Sequence, residues 1–119
     1  MNNSFEIIII GGGIAGAIAA LASSKAKIKT VWFAPENNLD GGIQIPPNTL
    51  KALSELECLS DINQILTPIS NIRIRDPKSI SDLTSFNLTE NYHTVSRKKL
   101  FSKLRKIISD NEYVQIKNE

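Results

Sequence analysis

The stretch Phe5-Glu6-Ile7-Ile8-Ile9-Ile10-Gly11-Gly12-Gly13-Ile14-Ala15-Gly16 decides how this chain is read. Phe5 to Ile10 is short, β-branched and closed by glycine, the pattern of a fully buried parallel strand. Ile14 to Lys25 follows with Ala15, Ala17, Ala19, Ala20 and Ala22, small residues that let a helix lie close against a sheet. Ile28 to Phe33 carries Thr30, Val31 and Trp32 and reads as a second strand, with Trp32 as a core aromatic. Strand, helix and strand within about 30 residues make a βαβ unit over residues 5–33, and such crossovers are right-handed and parallel.

Gly11, Gly13 and Gly16 satisfy the pattern G-x-G-x-x-G. The first glycine allows a sharp turn out of the strand. The second lets a pyrophosphate approach the backbone without meeting a side chain, and the third lets the helix pack closely on the strand. Unpaired N–H groups around Ile14 and Ala15, with the positive end of the helix dipole, would face the pyrophosphate oxygens. The unit therefore points to a dinucleotide.

One element departs from the pattern. Such units place Asp or Glu about 20 residues on, at the end of the second strand, to bind a ribose hydroxyl. Counting from Gly16 puts that position at Ala34, with Glu36 two residues beyond. Either Glu36 substitutes through a bent loop or the contact is absent. No basic residue follows the second strand to greet a 2′-phosphate, so NADP is disfavoured.

With 119 residues the chain makes one domain, and 41% apolar and 22% charged residues are ordinary for a globular protein. A net charge of +2 gives no reason to expect nucleic acid as a partner. Cys58 is the only cysteine, which excludes an intrachain disulfide and a cysteine-based metal centre; it reads as a small buried side chain. His93, the only histidine, lies between Tyr92 and Thr94 and reads as an ordinary strand-end residue, and no metal site is expected. No segment approaches the roughly 18 apolar residues of a membrane helix. Met1 to Ser4 carries no basic side chain, as a signal peptide would, so the expectation is a cytoplasmic protein.

Ala34 to Pro47 reads as a loop, and Asn48 to Leu56 as a helix with Pro47 near its start. A short helix spans Ser60 to Leu66 and stops before Pro68. Strands are expected at Ser70 to Arg75 and Leu83 to Leu88, separated by a polar turn from Asp76 to Ser81. Ser96 looks like the N-cap of a helix from Arg97 to Ser109, with Leu100, Phe101, Leu104, Ile107 and Ile108 on one face. Tyr113 to Ile116 starts a last strand. Arg97, Lys98, Lys99, Lys103, Arg105 and Lys106 read as a solvated helix face, with contact to phosphates or an anionic membrane surface as the alternative.

The run Gly41-Gly42-Ile43-Gln44-Ile45-Pro46-Pro47-Asn48-Thr49-Leu50-Lys51-Ala52-Leu53 resembles the loop and helix after the second strand in class A FAD-dependent aromatic monooxygenases, the salicylate-hydroxylase-like and ubiquinone-biosynthesis groups. Thr67-Pro68-Ile69-Ser70-Asn71-Ile72-Arg73-Ile74-Arg75-Asp76 is similar to the stretch that enters their substrate domain, and Arg97-Lys98-Lys99-Leu100 to their Arg-x-x-Leu helix start. The resemblance implies an α/β fold: a Rossmann-like FAD-binding unit with a parallel sheet, plus the beginning of a β-rich substrate domain. Residues 68–95 would be the excursion toward that domain, and 97–116 the returning helix and strand. It further implies FAD as cofactor, NAD(P)H as co-substrate, and a small aromatic or quinone-precursor substrate.

By the same resemblance Gly11, Gly13 and Gly16 would hold the FAD pyrophosphate. Gly42, Ile43 and Gln44 would line a loop on the flavin side, and Arg97 would be a charge partner of the cofactor. The family's later Asp-Gly and Gly-Asp motifs are absent, because Asp40-Gly41 lies in the wrong segment. The chain is therefore expected to be the amino-terminal piece of a monooxygenase, with a partner chain as one source of the remainder. The rival readings are a catalytically inactive truncated fragment and a small NAD-binding module of a multi-chain oxidoreductase. The second rival is disfavoured by the proline-rich loop that follows Phe33 where a third parallel strand should return at once.

Overall fold

The computed structural model describes residues 4–36 and 39–119, so Met1 to Asn3 and two residues of the expected loop, Asn37 and Asn38, lie outside it. In chain order the elements are β1 (Ile7–Ile10), α1 (Ile14–Lys25), β2 (Thr30–Phe33), β3 (Gly42–Ile45), α2 (Pro47–Glu55) and α3 (Leu59–Asn63). They continue with β4 (Thr67–Arg75), β5 (Asp82–Ser96), α4 (Arg97–Ser109) and β6 (Val114–Lys117). Two sheets result. β1, β2 and β6 run parallel with β2 in the middle, and β3, β5 and β4 run antiparallel with β5 in the middle. The chain leaves β2 for the antiparallel sheet and regains the parallel sheet only through α4 and β6.

The core lies between the parallel sheet and two helices. Ile9, Trp32 and Ile116 are register partners across the sheet, and they pack with Ala17, Ala20 and Leu21 of α1 and Leu100, Leu104 and Ile108 of α4. Alanines bring α1 close. The large apolar side chains of α4 contribute most per residue, about 1.5–3 kcal/mol for each one fully buried. Ser23 and Ser24 are also buried on α1, and their hydroxyls donate to the carbonyls of Ala20 and Leu21 at 2.9 and 2.7 Å. Polar groups placed there without partners would be costly.

Three sequence expectations need correction. β1 is not fully buried: Ile8 is 64% and Ile10 85% exposed. Among the described residues β1 pairs only with β2, and the helices cover the Ile9 face alone, so alternate side chains face out. Next, the stretch expected as a loop contains β3, which pairs with His93 to Ser96 of β5 and points Ile43 and Ile45 toward the core. Finally, the strand expected at Leu83 to Leu88 runs from Asp82 to Ser96. His93 therefore sits inside β5, between Ile45 and Pro68 in register, instead of at a strand end.

Pro68 lies on β4, an edge strand, where a missing N–H breaks no central ladder. The β4–β5 ribbon turns at Asp76 to Ser81, where the Asp76 carboxylate accepts the Lys78 N–H and the Ser79 hydroxyl. The molecule measures 64 Å along its longest axis.

Candidate functional site: the glycine loop and its cavity

The glycines of the loop do different jobs. Gly11 has φ +133°, a conformation that L side chains rarely adopt, and it carries the chain out of β1. Its carbonyl accepts the Trp32 indole N–H at 2.9 Å. A Cβ on Gly16 would lie 2.3 Å from that same carbonyl oxygen and 3.0 Å from Trp32 Nε1, so α1 can sit this close to β1 only with hydrogen there. Gly12 is likewise hemmed in, with its Cβ position 2.5 Å from the Pro35 carbonyl oxygen. Gly13 differs: nothing lies within 4 Å of its Cβ position. No protein atom requires a glycine there.

Gly13 is also the N-cap of α1. It offers no side-chain cap, and the first turn holds no acidic residue. The first bond into the helix is Ala17 N–H to the Gly13 carbonyl at 3.0 Å, so the N–H groups of Ile14, Ala15 and Gly16 precede the helical ladder. They lie at the positive end of the helix dipole.

A cavity of about 350 Å³ opens at this helix end, within the size range of ligand sites. Gly12, Gly13 and Ile14 line one side, and Glu36 and Leu39, from the segment after β2, line another. Arg97, Lys98, Phe101, Ser102 and Arg105 of α4 complete it. Three cations thus face one carboxylate. A cavity of this charge beside a helix N-terminus suits an anion.

The start of α4 is built in the opposite way. Ser96 Oγ accepts the Lys99 N–H at 3.2 Å, as expected of an N-cap. Asp40 joins it from before β3, accepting from Gly41 N at 2.8 Å, Ser96 Oγ at 2.9 Å and Lys98 N at 3.3 Å. The backbone N–H of Gly41, then the Ser96 hydroxyl and the Lys98 N–H, hold the Asp40 carboxyl below its ordinary value. The Arg97 N–H donates to the Gly41 carbonyl at 2.8 Å, so this corner is tied twice.

Arg105 sits eight residues along the same helix, half-buried. Its guanidinium donates to the Ala34 carbonyl at 3.0 Å and to Asn118 Oδ1, and its carbon lies 5.7 Å from the Trp32 ring centroid. Trp32 is itself fully buried and meets Phe101 edge-on at 6.0 Å. The expectation that the end of β2 lacks a basic residue is therefore corrected. None follows it in sequence, but α4 delivers one in space.

Of the residues singled out from sequence, Gly13, Ile14, Glu36 and Arg97 share this cavity. Gly11, Ala15 and Gly16 shape the turn and helix start beside it. Ala34 is fully buried, away from the cavity wall. Gly42 borders a second cavity of about 320 Å³ with Asp40, Thr67, Thr94 and Lys99. Ile43 and Gln44 continue a strand and not a loop, and Gln44 Oε1 accepts the Tyr92 hydroxyl at 2.9 Å. Leu39, Lys98, Phe101, Ser102 and Arg105 line the cavity without having been singled out from sequence, where Lys98 and Arg105 read as part of a solvated face. The signal was present: Arg97, Phe101 and Arg105 recur at i, i+4 and i+8, one face of a helix. Among the described residues no cluster of three His, Cys, Asp or Glu could hold a metal. No described helix is long and apolar enough to cross a membrane.

No curated protein matches the chain in sequence. Solved structures do match its fold. p-Nitrophenol 4-monooxygenase PnpA from Pseudomonas putida superposes with a TM-score of 0.82 at 17% identity, over 94% of this chain and 31% of that one. HpxO of Klebsiella pneumoniae, complexed with FAD and uric acid, gives 0.75 at 23% identity, over 98% and 31%. 2,6-Dihydroxypyridine-3-hydroxylase from Arthrobacter nicotinovorans gives 0.67 at 20% identity, over 92% and 28%. The chain spans less than a third of the length of each of these structures. The fold implied by the resemblance, the amino-terminal portion of the class A monooxygenases, is the fold observed. The model of the family described as glucose inhibited division protein A matches residues 6–65, the glycine loop through α3 and half of the chain, and the chain belongs to that family.

Proposed function

We propose that this chain is the FAD-binding region of a flavin-dependent monooxygenase acting on a small aromatic or quinone-precursor substrate, with NAD(P)H as reductant. One observation carries the reading: the space beside Gly13, at an uncapped helix N-terminus, opens into a cavity with three cations. That is the fit a pyrophosphate requires. When bound, FAD supplies the redox chemistry of hydroxylation, and the protein supplies binding, orientation and charge.

In this reading the N–H groups of Ile14, Ala15 and Gly16 orient the pyrophosphate. Arg97 and Lys98 offset its charge, and Leu39 and Phe101 keep water from that end of the site. Glu36, on the cavity wall, accepts from a ribose hydroxyl in place of the acid missing at Ala34. The start of β3, at Gly42, faces the flavin side through the second cavity.

The exposed Ile8 and Ile10 on β1 favour a companion reading, in which further polypeptide must cover the parallel sheet before the chain acts. One preparation addresses both. The purified chain is mixed with FAD, desalted, and its retained flavin absorbance recorded, with calorimetry for NAD in parallel. Retained flavin supports the binding role. NAD binding without flavin contradicts it, and aggregation without either ligand favours the need for a covering partner.

A further inference from the structure

We propose that Arg105 recognises the adenine of the bound FAD, its guanidinium giving the base a flat cationic surface to stack on. The inference rests on the reading of Gly11 to Gly16 as a pyrophosphate site and names what holds the far end of the same ligand.

The pyrophosphate of such a ligand lies at the helix start, and its adenosine ribose lies at the end of the second strand. Here those two places are Gly13 and Ala34. The base joined to that ribose lies near Ala34 too, and the charged side chain bonded to Ala34 is Arg105. Arg97 and Arg105 stand eight residues apart on α4, roughly 12 Å along its axis. They therefore meet different parts of an elongated ligand.

Arg105 is held as a flat group. One terminal nitrogen donates to the Ala34 carbonyl and the other to Asn118 Oδ1, which together set the plane of the guanidinium. Its central carbon lies 5.7 Å from the centroid of the fully buried Trp32 ring, within cation–π range. The same side chain lines the cavity. With its edge donating to two oxygens and an indole on one side, the guanidinium has a face left to offer, and such faces stack on aromatic rings and bases. A plane already fixed loses little freedom when a base settles on it. Adenine is neutral, so its entry meets no repulsion from Glu36, the carboxylate on the cavity wall.

The test compares ADP with ribose 5-diphosphate, probes that share ribose and diphosphate and differ in the adenine. Each is titrated calorimetrically into the whole chain at one ionic strength. ADP should bind about tenfold tighter, and R105Q should bring the ratio of the two affinities to about one. R105K keeps the charge and loses the plane. It should bind ribose 5-diphosphate within about twofold of the wild type, while the advantage of ADP falls to about threefold or less. Wild-type chain that binds ADP no tighter than ribose 5-diphosphate overturns the inference and leaves the pyrophosphate site standing. A full ADP advantage in R105K overturns it too, since charge alone then suffices. If R105Q weakens both probes in parallel with their ratio unchanged, Arg105 only supports Ala34 and Asn118, and the inference is wrong. If neither probe binds, the pyrophosphate reading fails with it. Circular dichroism confirms that the variants fold, and R105K decides the matter where R105Q does not.

Discussion

Two helices, α1 and α4, pack on the same face of the parallel sheet and begin at the same cavity, yet their first turns are finished in opposite ways. The start of α4 is satisfied from within the protein, by Ser96 and Asp40. The start of α1 has a glycine cap, no acid in its first turn and open space beside Gly13. Capping costs the protein nothing in fold, since α4 shows how readily the chain does it. Leaving α1 with a glycine cap forgoes only about a few tenths of a kcal/mol of capping stability and keeps its N–H groups available to an outside anion. The difference separates a helix end that holds structure from one that receives a ligand.

The contrast can be broken first inside the glycine loop itself. Replacing Gly16 by alanine drives a Cβ into the Gly11 carbonyl, and we expect a loss of about 3 kcal/mol with early thermal unfolding. Replacing Gly13 by aspartate puts a Cβ where nothing lies within 4 Å, and its φ of −103° and ψ of −178° suit an ordinary N-cap. Gly13→Asp should stabilise the fold by about a few tenths of a kcal/mol, raising the melting temperature slightly, while weakening FAD binding at least about tenfold. A variant that kept full affinity would show that the bare cap is not the ligand site.

At α4 the effects run on stability alone. Ser96→Ala removes the cap of Lys99 and should cost about 1 kcal/mol in denaturant unfolding. Asp40 supplies the smallest effect, through pH. Its folded pKa is lowered, so its contribution is present above the unfolded value and is lost as pH falls through the depressed folded value. Melting temperatures measured down from about pH 5 should therefore fall further in the wild type than in Asp40→Asn. Identical acid limbs would show that Asp40 holds nothing at that helix start.

What could be read in the sequence follows the range of the interactions. The βαβ unit was legible because its signals are local: a β-branched run, glycines, alanines and a second β-branched run within one stretch. The α4 cap at Ser96 was legible for the same reason, since its bond spans three residues. Asp40 was not, because the helix start it caps lies 56 residues away. Arg105 was missed because Ala34 is 71 residues distant, so a sequence scan around β2 finds no base there. β3 was hidden by the glycines and prolines around it, and only its partner β5 makes Gly42 to Ile45 a strand. The exposure of Ile8 and Ile10 depends on what covers the sheet, which four consecutive isoleucines do not reveal.

The contrast between the two helix starts is tested most directly by amide chemical shifts of the isotope-labelled chain during titration with FAD. We expect saturable shifts concentrated at Gly13, Ile14, Ala15 and Gly16, with the capped Lys99 amide moving little. FAD binding that left those four amides unmoved, or no binding at all, would contradict the assignment of the bare end of α1 as the pyrophosphate site.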